Sequence, residues 1–214
     1  MAQPVRHPPE EPRTSSRRKT RAEKSEKTRR AIVEAAARII GRYGYENASI
    51  ARIAARARIA HGTFYKHFGS RQDLFDRVLP EMGDRLLEFI QANVDRHAAG
   101  AHREEQRLRA YIKFLVRNPW FQRLVNDSEV MAPKAHKAYF ERLASGYVRG
   151  LTRSIARNEI KAFDRTELEC VAYILMATRL YLAQRYAYSH GSVSDPPEAV
   201  VRTYVKFVQR ALFD

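Results

Sequence analysis

Cysteine and tryptophan are almost absent from this chain, with one of each among 214 residues. A single thiol, Cys170, can form neither an intramolecular disulfide nor a cysteine-rich zinc site. The sequence has no run of 18 apolar residues, which predicts that no transmembrane helix is present. The first residues also lack the apolar segment of a secretory signal peptide. Together these absences predict a cytoplasmic protein without membrane partners.

Acidic residues are scarce as well, because 24 Asp and Glu stand against 39 Lys and Arg, for a net charge of +15. Residues 1–70 hold 16 basic and 6 acidic side chains, whereas residues 71–214 hold 23 and 18. A positive field concentrated in one third of the chain attracts phosphates and speeds association with polyanions. At this point a solubility charge or a solvated basic tail fits the numbers equally well.

Enzyme signatures are missing too. The sequence contains no GxSxG, HExxH, P-loop or dinucleotide-binding motif. Its seven histidines do not cluster with carboxylates at metal-ligand spacing. We therefore expect no enzyme, no metal site and no cofactor.

The N-terminal third is predicted to begin with a disordered basic arm. Residues 1–22 hold four prolines and the cluster Arg17-Arg18-Lys19, a composition typical of disorder. From near Ser25, apolar residues recur at steps of three and four, which indicates a helix that ends at Gly44. The segment 17–21 is either a minor-groove arm or a solvated tail.

Two short helices and a long one follow. Ser49 is the expected N-cap of a helix of about two turns, and residues 61–67 form a second short helix. Ser70 and Asp73 resemble a capping box that opens the long helix. Helical segments are also expected at 108–116, from Pro119, at 133–160, 168–188 and 200–212.

The predicted fold is therefore all-α, with about nine helices and no convincing strands. Its segments are a disordered basic arm at 1–22, a three-helix DNA-binding domain with a helix-turn-helix at 23–70, and a larger helical domain for ligand binding and dimerisation at 71–214. The last assignment depends on the family resemblance given below.

The stretch IARIAARARIAHGTFYKHF at 50–68 has the composition of a helix-turn-helix. Small residues such as Ala54 and Ala57 let the first helix cross the second closely. Ile53, Ile59 and Phe64 are expected to form a small core with the preceding helix, and Phe64 and Phe68 are expected to face that core.

The outer face of the second short helix is predicted to contact DNA. Hydroxyl, imidazole and ammonium groups suit phosphate oxygens, and a glycine permits close approach to the groove. Hydroxyls near helix N-termini are expected to add phosphate contacts. The candidate residues are Thr28, Ser49, His61, Gly62, Thr63, Tyr65, Lys66 and His67. For His67, a solvated helix end is the alternative.

These motifs resemble the N-terminal domain of the TetR family of bacterial transcriptional regulators. The matching strings are TRRAIVEAAARIIGRYGYENASI, IARIAARARIAHGTFYKHF and SRQDLFDRVL, which together cover about 25–74. The resemblance implies three helices, of which the third is the recognition helix. Arg58 stands where the family has a turn glycine, which is expected to reshape the turn. Ala60 stands where a serine often caps the recognition helix, so one contact is expected to be missing.

The resemblance also implies that residues 75–214 dimerise and hold a small effector. In the family the last two helices of each subunit build a four-helix interface. A helix buried within one subunit would show the same apolar pattern. The residues expected on these faces are Val171, Ile174, Leu175, Thr178, Leu182 and Arg185 on one helix, and Val200, Val201, Tyr204, Val208 and Leu212 on the other.

A pocket for a hydrophobic effector, such as an acyl chain, is predicted among the many aromatic residues, although any one of them fits a core equally well. Arg179 lies in the apolar stretch ILMATRLYLA and needs a partner. In order of expectation, that partner is water, an acidic residue across the dimer, or an acidic ligand. The predicted lining is Phe89, Tyr111, Phe114, Trp120, Phe121, Tyr147, Tyr173 and Arg179.

The sequence thus predicts a homodimeric repressor that places residues 61–67 of each subunit in successive major grooves of a pseudo-palindromic operator. The effector would shift the long helix after Ser70 and change the separation of the two recognition helices. The alternative is a nonspecific, architectural DNA-binding protein without an effector. The operator sequence, the regulated genes and the choice between repression and activation are not encoded in these patterns.

Overall fold

The computed structural model describes residues 14–189 and 191–214, with side chains from Thr20 onward. Within these residues the fold is all-α, as predicted, and it contains nine α-helices and one short hairpin. The helices are α1 Thr14–Tyr43, α2 Ile50–Ala57, α3 His61–Phe64, α4 Arg71–Ala92, α5 Gly100–Arg117, α6 Phe121–Met131, α7 Pro133–Ala156, α8 Leu168–Tyr186 and α9 Glu198–Val208. A π-helical turn, Gln209–Phe213, continues α9.

The first helix begins earlier than the sequence predicts. Because α1 starts at Thr14, the expected disorder of residues 1–22 is wrong for residues 14–22, and the remaining part lies outside the described residues. Residues 14–24 contain no proline or glycine and are rich in Arg and Lys. Extending an existing helix through such residues costs little, since nucleation is already provided downstream. The segment 17–21 is therefore helical rather than an extended arm.

The end of α1 and the start of α2 follow the predicted caps. Gly44 has a φ of +84°, and its N–H donates to the Ile40 carbonyl at 2.7 Å. This left-handed position favours glycine, so the helix ends there. Ser49 is the N-cap of α2, and its Oγ accepts a hydrogen bond from the Arg52 N–H at 3.3 Å.

The helices after α3 form one packed bundle. The long helix α4 continues through Pro80 and packs against α7, α1 and α5. In turn, α8 packs on α7, and α9 packs on α5. Helix α5 begins at Gly100 rather than near Leu108, because Ala101 and Glu104 lie on the same buried face as Leu108.

A two-stranded hairpin corrects the prediction that no strands occur. Strands Tyr188–Ser189 (β1) and Ser192–Val193 (β2) pair antiparallel, with Tyr188 opposite Val193. The segment is too short for an alternating pattern to show in the sequence. As a consequence α8 ends at Tyr186, before the predicted residue 188.

The apolar core is continuous from Ile32 in α1 to Leu212 after α9. The N-terminal helices approach the rest of the protein closely at Gly41, where an added Cβ would be 2.4 Å from the Trp120 carbonyl oxygen. Tyr45 adds an edge-on ring contact with Phe75 of α4, with centroids 4.9 Å apart. The predicted boundary at residue 70 is therefore not a break in packing, and movement of α4 would be felt at α1.

Candidate DNA interface and interior cavity

The α2–α3 pair rests on α1 through a small apolar core. Ile53 and Phe64 are fully buried, and Phe68 is 1 % exposed. Ala54 is buried at the crossing of the two helices, where a larger side chain would push them apart. The prediction that Phe64 and Phe68 face the core is confirmed. Because these two rings point into the core, the opposite side of α3 faces solvent.

The turn between α2 and α3 keeps its ordinary shape despite Arg58. This residue adopts the left-handed conformation, with φ 57° and ψ 45°. Its N–H donates to the Ala55 carbonyl at 3.2 Å, and the Ile59 N–H donates to the Ala54 carbonyl at 3.0 Å. The expectation of a reshaped turn is therefore wrong, because two backbone hydrogen bonds hold Arg58 in a conformation that usually suits glycine.

Helix α3 is shorter than the predicted segment 61–67. It ends at Phe64, and the chain continues with turn-type hydrogen bonds from Lys66 N–H to the Thr63 carbonyl and from His67 N–H to the Phe64 carbonyl. Ala60 provides no side-chain cap, as its residue type predicted. An uncapped start, together with Gly62 in the first turn, lowers the stability of a long α3.

Most of the candidate DNA-contacting side chains lie on one exposed surface. His61, Gly62, Tyr65 and Lys66 are exposed, whereas Thr63 and His67 are half-buried. Tyr65 is 53 % exposed, and its ring meets that of His61 edge-on with centroids 5.5 Å apart. A Cβ at Gly62 would have no neighbour within 4 Å. The surface is thus open, polar and supported from beneath by Phe64.

Ser49 lies beside this surface together with a cation that the sequence interpretation missed. Arg52, on the first turn of α2, donates to the Asn47 carbonyl at 3.1 Å. Its guanidinium also lies over the Tyr43 ring, 5.6 Å from the centroid. The sequence does contain a signal for this contact, because Arg52 follows the predicted N-cap Ser49 by three residues. At that position the helix N–H groups and the guanidinium can bind the same anion.

Thr28 does not lie where the sequence prediction placed it. Because α1 begins at Thr14, Thr28 is inside the helix and not near its N-terminus. Its hydroxyl donates to the Lys24 carbonyl at 2.9 Å, one helical turn earlier. The expected anchor made of free N–H groups is therefore absent at Thr28, since backbone N–H groups inside a helix are already bonded.

The start of α4 is capped almost as predicted. The Asp73 N–H donates to Ser70 Oγ at 3.0 Å, while Asp73 Oδ2 accepts from the Gly69 N–H at 3.0 Å. Hydrogen bonds from the Arg77 guanidinium and from that N–H hold the pKa of the Asp73 carboxyl below its usual range. The cap fixes where the chain leaves the α2–α3 unit and enters the long helix.

Ion pairs also join α1 to α4. Arg29 pairs with Glu81 of α4 as well as with Glu26, and Arg85 of α4 lies 3.4 Å from Glu34 of α1. Hydrogen bonds from Arg29 and Arg30 lower the pKa of the Glu26 carboxyl to about 2. These pairs are partly exposed, so each contributes modestly, and they add polar contacts to the packing of α1 on α4.

A cavity of about 150 Å³ lies between α4, α6, α7 and α8, with Tyr111 of α5 also in its wall. Of the eight predicted lining residues, Tyr111, Tyr147, Tyr173 and Arg179 border it. Phe89, Phe114, Trp120 and Phe121 do not. They form a neighbouring chain of ring contacts with centroids 5.2–6.2 Å apart, so for these four the core alternative applies. Tyr139 and Phe140 complete the aromatic wall instead.

The faces predicted for dimerisation are divided between the interior and the surface. Val171 and Leu175 of α8, and Val201, Tyr204, Val208 and Leu212 of the last helical segment, are buried within the subunit. The prediction is wrong for these six, because α8 and α9 use them to pack on α7 and α5. Ile174 is 50 % exposed, and Thr178, Leu182 and Val200 border a surface groove with Phe207. Arg185 is exposed.

Large apolar side chains are exposed along the outer sides of α8 and α9. Tyr181 is 73 % exposed and Phe207 is 54 % exposed, and Tyr186 lies at the same groove as Phe207. We call this the α8–α9 surface, defined by Ile174, Tyr181, Tyr186 and Phe207. Clusters of exposed apolar residues mark association sites more often than they mark ordinary surface.

Metal-binding clusters and membrane-spanning helices are both absent from the described residues. No group of three or more His, Cys, Asp or Glu side chains in this part of the chain is arranged to hold a metal ion. Among the described helices, none is both long enough and apolar enough to cross a membrane.

Comparison with known proteins agrees with this geometry. Residues 32–78, which include α2, α3 and the start of α4, match the model of the bacterial regulatory proteins of the tetR family. This segment is therefore that of a TetR-family DNA-binding domain. A curated relative is the A-factor receptor protein of Streptomyces griseus, which is 39 % identical over 64 residues. That match covers 30 % of this chain but only 23 % of the receptor.

Solved structures extend the similarity over the whole fold. A putative TetR-family regulator from Rhodococcus sp. has a TM-score of 0.72 at 18 % identity, covering 87 % of this chain and 99 % of its own. One from Mesorhizobium loti MAFF303099 has a TM-score of 0.71 at 20 % identity, covering 89 % and 98 %. The fatty acid degradation regulator FadR of Bacillus halodurans reaches 0.65 at 15 %, covering 84 % and 93 %. Such identities establish the fold. The named relatives are regulators and a receptor, in agreement with the prediction of no enzyme.

Proposed function

We propose that this TetR-family chain is a cytoplasmic transcriptional regulator that binds an operator as a homodimer, most simply as a repressor released by a small ligand. The observation that carries the proposal is the outer surface of α3 and of the turn that follows it. Four of its candidate contact residues are exposed on a unit whose inner residues, Ile53 and Phe64, are fully buried. A helix reads DNA only when a rigid support presents it to the major groove, and this unit provides that support.

Each contact on this surface has a distinct proposed role. Tyr65 and Lys66 are the phosphate-binding groups, since a phenol hydroxyl and an ammonium both donate to phosphate oxygens. Gly62 allows close approach to the base edges, and Thr63 meets a phosphate or a thymine methyl. Ser49 and Arg52 extend the phosphate contacts to the start of α2. Thr28 is left out of this set because its hydroxyl is bonded within α1.

Dimerisation is proposed through the α8–α9 surface. A single helix-turn-helix reads only a short half-site, and two-fold pairing makes two half-sites available to one assembly. The exposed side chains of Tyr181 and Phe207 supply apolar area for such an interface. Regions 23–70 and 71–214 then act as DNA-binding and effector-binding parts of one subunit.

The long helix α4 is the proposed connection between the two parts. It begins at Arg71, directly after the α2–α3 unit, and its later residues Leu86, Leu87 and Ile90 border the cavity. Ligand contacts at these residues would bias the position of α4, and the cap at Ser70 would pass the shift to α3. A change in half-site spacing would then weaken operator binding.

A gel-shift comparison tests the DNA interface. An operator is first selected from random DNA with the wild-type protein, and its affinity for Tyr65→Ala is then measured. We expect a loss of about 1–3 kcal/mol, or roughly 10- to 100-fold, without loss of folding. Lys66→Ala should lower the salt dependence of binding by about one counterion, whereas the matched variant Lys137→Ala on α7 should not change it.

The same measurement distinguishes a sequence-specific regulator from a nonspecific, architectural DNA-binding protein. A sequence-specific regulator binds the selected operator far more tightly than scrambled DNA of the same length, and the difference persists as salt rises. Equal affinities for the two DNAs would favour an architectural binder. Unchanged operator affinity in folded Tyr65→Ala would contradict the assignment of the α3 surface.

A further inference from the structure

The walls of the interior cavity are apolar. Leu86 and Ile90 of α4, Val125 of α6, Leu143 of α7 and Met176 of α8 contribute much of the surface. Its volume of about 150 Å³ is similar to that of a cavity known to hold benzene in another protein. Tyr173 borders it and is 38 % exposed, so Tyr173 marks the side on which the cavity meets solvent. The space suits a small apolar body.

One cation borders this apolar space. Arg179 of α8 is only 5 % exposed. Within the described residues no carboxylate lies within 4.0 Å of its guanidinium, and its one side-chain hydrogen bond is from Nε to the Leu175 carbonyl at 3.4 Å. The guanidinium also lies over the Tyr147 ring, 4.5 Å from the centroid. A buried charge normally has a close opposite charge, so this position calls for a partner.

The nearby carboxylate is already engaged. Glu104 of α5 is 2 % exposed, forms an ion pair with Arg107, and accepts a hydrogen bond from the Tyr147 hydroxyl at 3.2 Å. The group therefore combines the buried Glu104 carboxylate with two guanidiniums, that of Arg107, which is partly exposed, and that of Arg179, which is buried. It carries one uncompensated positive charge.

Two phenols at the cavity are neutral near neutral pH and can donate hydrogen bonds. Burial raises the pKa of the Tyr111 and Tyr139 phenols above their usual range, so both keep their protons. The charge of Arg179 acts on both of them in the opposite direction, which places all three groups in one electrostatic environment. A protonated phenol and a guanidinium can donate to the same anion.

We propose that this cavity binds a small amphipathic carboxylate, whose carboxylate pairs with Arg179 and whose apolar body fills the space bordered by Leu86, Ile90 and Met176. The proposal rests on the proposed function, because it names the chemical class of the effector. A planar guanidinium binds a carboxylate through two parallel hydrogen bonds, which an ammonium cannot reproduce. A neutral apolar molecule would fill the cavity but leave the charge unpaired.

The position of Arg179 on α8 argues against a partner from a second subunit. Val171, Leu175, Arg179 and Ala183 recur at steps of four and form the buried side of the helix. Ile174 and Tyr181, on the proposed dimer surface, project from another side. An acidic residue across the dimer would therefore meet α8 on the side that Arg179 does not occupy.

Paired ligands of equal shape and different charge test the proposal. Octanoate and phenylacetate are each compared with their primary amides by thermal shift and calorimetry on the wild-type dimer. We expect at least one carboxylate to bind about tenfold or more tightly than its amide, as expected for one charged hydrogen-bonded pair. Arg179→Met should abolish this preference, while Arg179→Lys should retain part of it.

Stability and DNA binding without ligand are the controls. If Arg179 serves a ligand, Arg179→Met should melt no lower than the wild-type protein, because it removes an uncompensated buried charge. Equal binding of both carboxylates and both amides would overturn the anion site, as would a preference that survives in folded Arg179→Met. Failure of the ligand-free wild-type protein to bind a selected operator would instead overturn the proposed function, whatever the ligand data show.

Discussion

The α2–α3 unit and the helical bundle differ in where they place the cations that are proposed to bind anions. In the α2–α3 unit, Lys66 and Arg52 project into solvent over a packed interior. In the bundle, Arg179 lies inside and borders a cavity. A long solvated polyanion can only be met at a surface, whereas a small anion is held most selectively where water is displaced.

The two regions also differ in how completely their interiors are filled. Phe64 and Phe68 lie under α3 with almost no exposed surface and with ring centroids 5.7 Å apart. The aromatic residues of the bundle instead leave an open space between Tyr139, Tyr147 and Tyr173. Rigid packing suits a DNA-recognition helix, while an unfilled interior suits a site that binds a ligand. We expect substitutions in the two regions to differ accordingly.

The largest expected effect is that of Phe64→Ala. Removing a fully buried phenylalanine should lower the free energy of unfolding by about 3–5 kcal/mol, because the surroundings can close around the vacancy only partly. Tyr173→Ala, at the cavity, should cost much less, since the Tyr173 side chain already borders open space. Urea denaturation of both variants measures the difference. Equal losses would contradict the contrast between a filled and an unfilled interior.

Local patterns explain why the α2–α3 unit was predictable from sequence. Its caps, its small residues and its buried phenylalanines act within about twenty consecutive positions, so Ser49, Ala54 and Phe64 could each be placed correctly. Thr28 was misplaced because its role depended on the start of α1, and nothing in residues 14–24 marks that start. The sequence predicts a reshaped turn at Arg58, but two backbone hydrogen bonds keep the turn in its ordinary shape.

The bundle was less predictable because its site is built from distant segments. An aromatic residue that borders a cavity and one that fills a core look alike in sequence, so Phe114 and Phe121 were grouped with Tyr111 and Tyr147. Only the packing of α4 against α7 and α8 decides which rings border the space. The apolar neighbours of Arg179 in the sequence mark it as unusual. Only the structure shows that no carboxylate of the described residues pairs with it and which side of α8 it occupies.

A second variant tests the surface that is proposed to bring two α3 helices together. Tyr181→Glu places a charge on the α8–α9 surface without touching the cavity or α3. The dimer should dissociate, and operator affinity should fall by about 100-fold, since two linked half-site contacts become independent. Analytical ultracentrifugation and gel shift measure the two effects.

The matched control is Lys137→Glu, which changes the charge of an exposed residue on α7. It should leave the protein dimeric. A monomeric Tyr181→Glu that still binds the operator with wild-type affinity would separate DNA binding from dimerisation and contradict the proposed use of the bundle. A dimeric Tyr181→Glu would assign the interface to another surface.

The smallest expected effect is that of Arg58→Gly in the turn before α3. A non-glycine residue in the left-handed conformation costs roughly 1–2 kcal/mol, but glycine loses more conformational entropy on folding, by roughly 0.5–1 kcal/mol. The two terms partly cancel, so Arg58→Gly should raise the free energy of unfolding by about 1 kcal/mol or less. Arg58→Ala keeps the strained φ of 57° and removes the same charge, so it should give no such gain. Urea denaturation of the wild-type protein, Arg58→Gly and Arg58→Ala therefore isolates the contribution of the left-handed backbone conformation to the free energy of unfolding. If Arg58→Ala stabilises as much as Arg58→Gly, the gain comes from relieving charge repulsion among the exposed arginines, and the left-handed turn is not a source of strain.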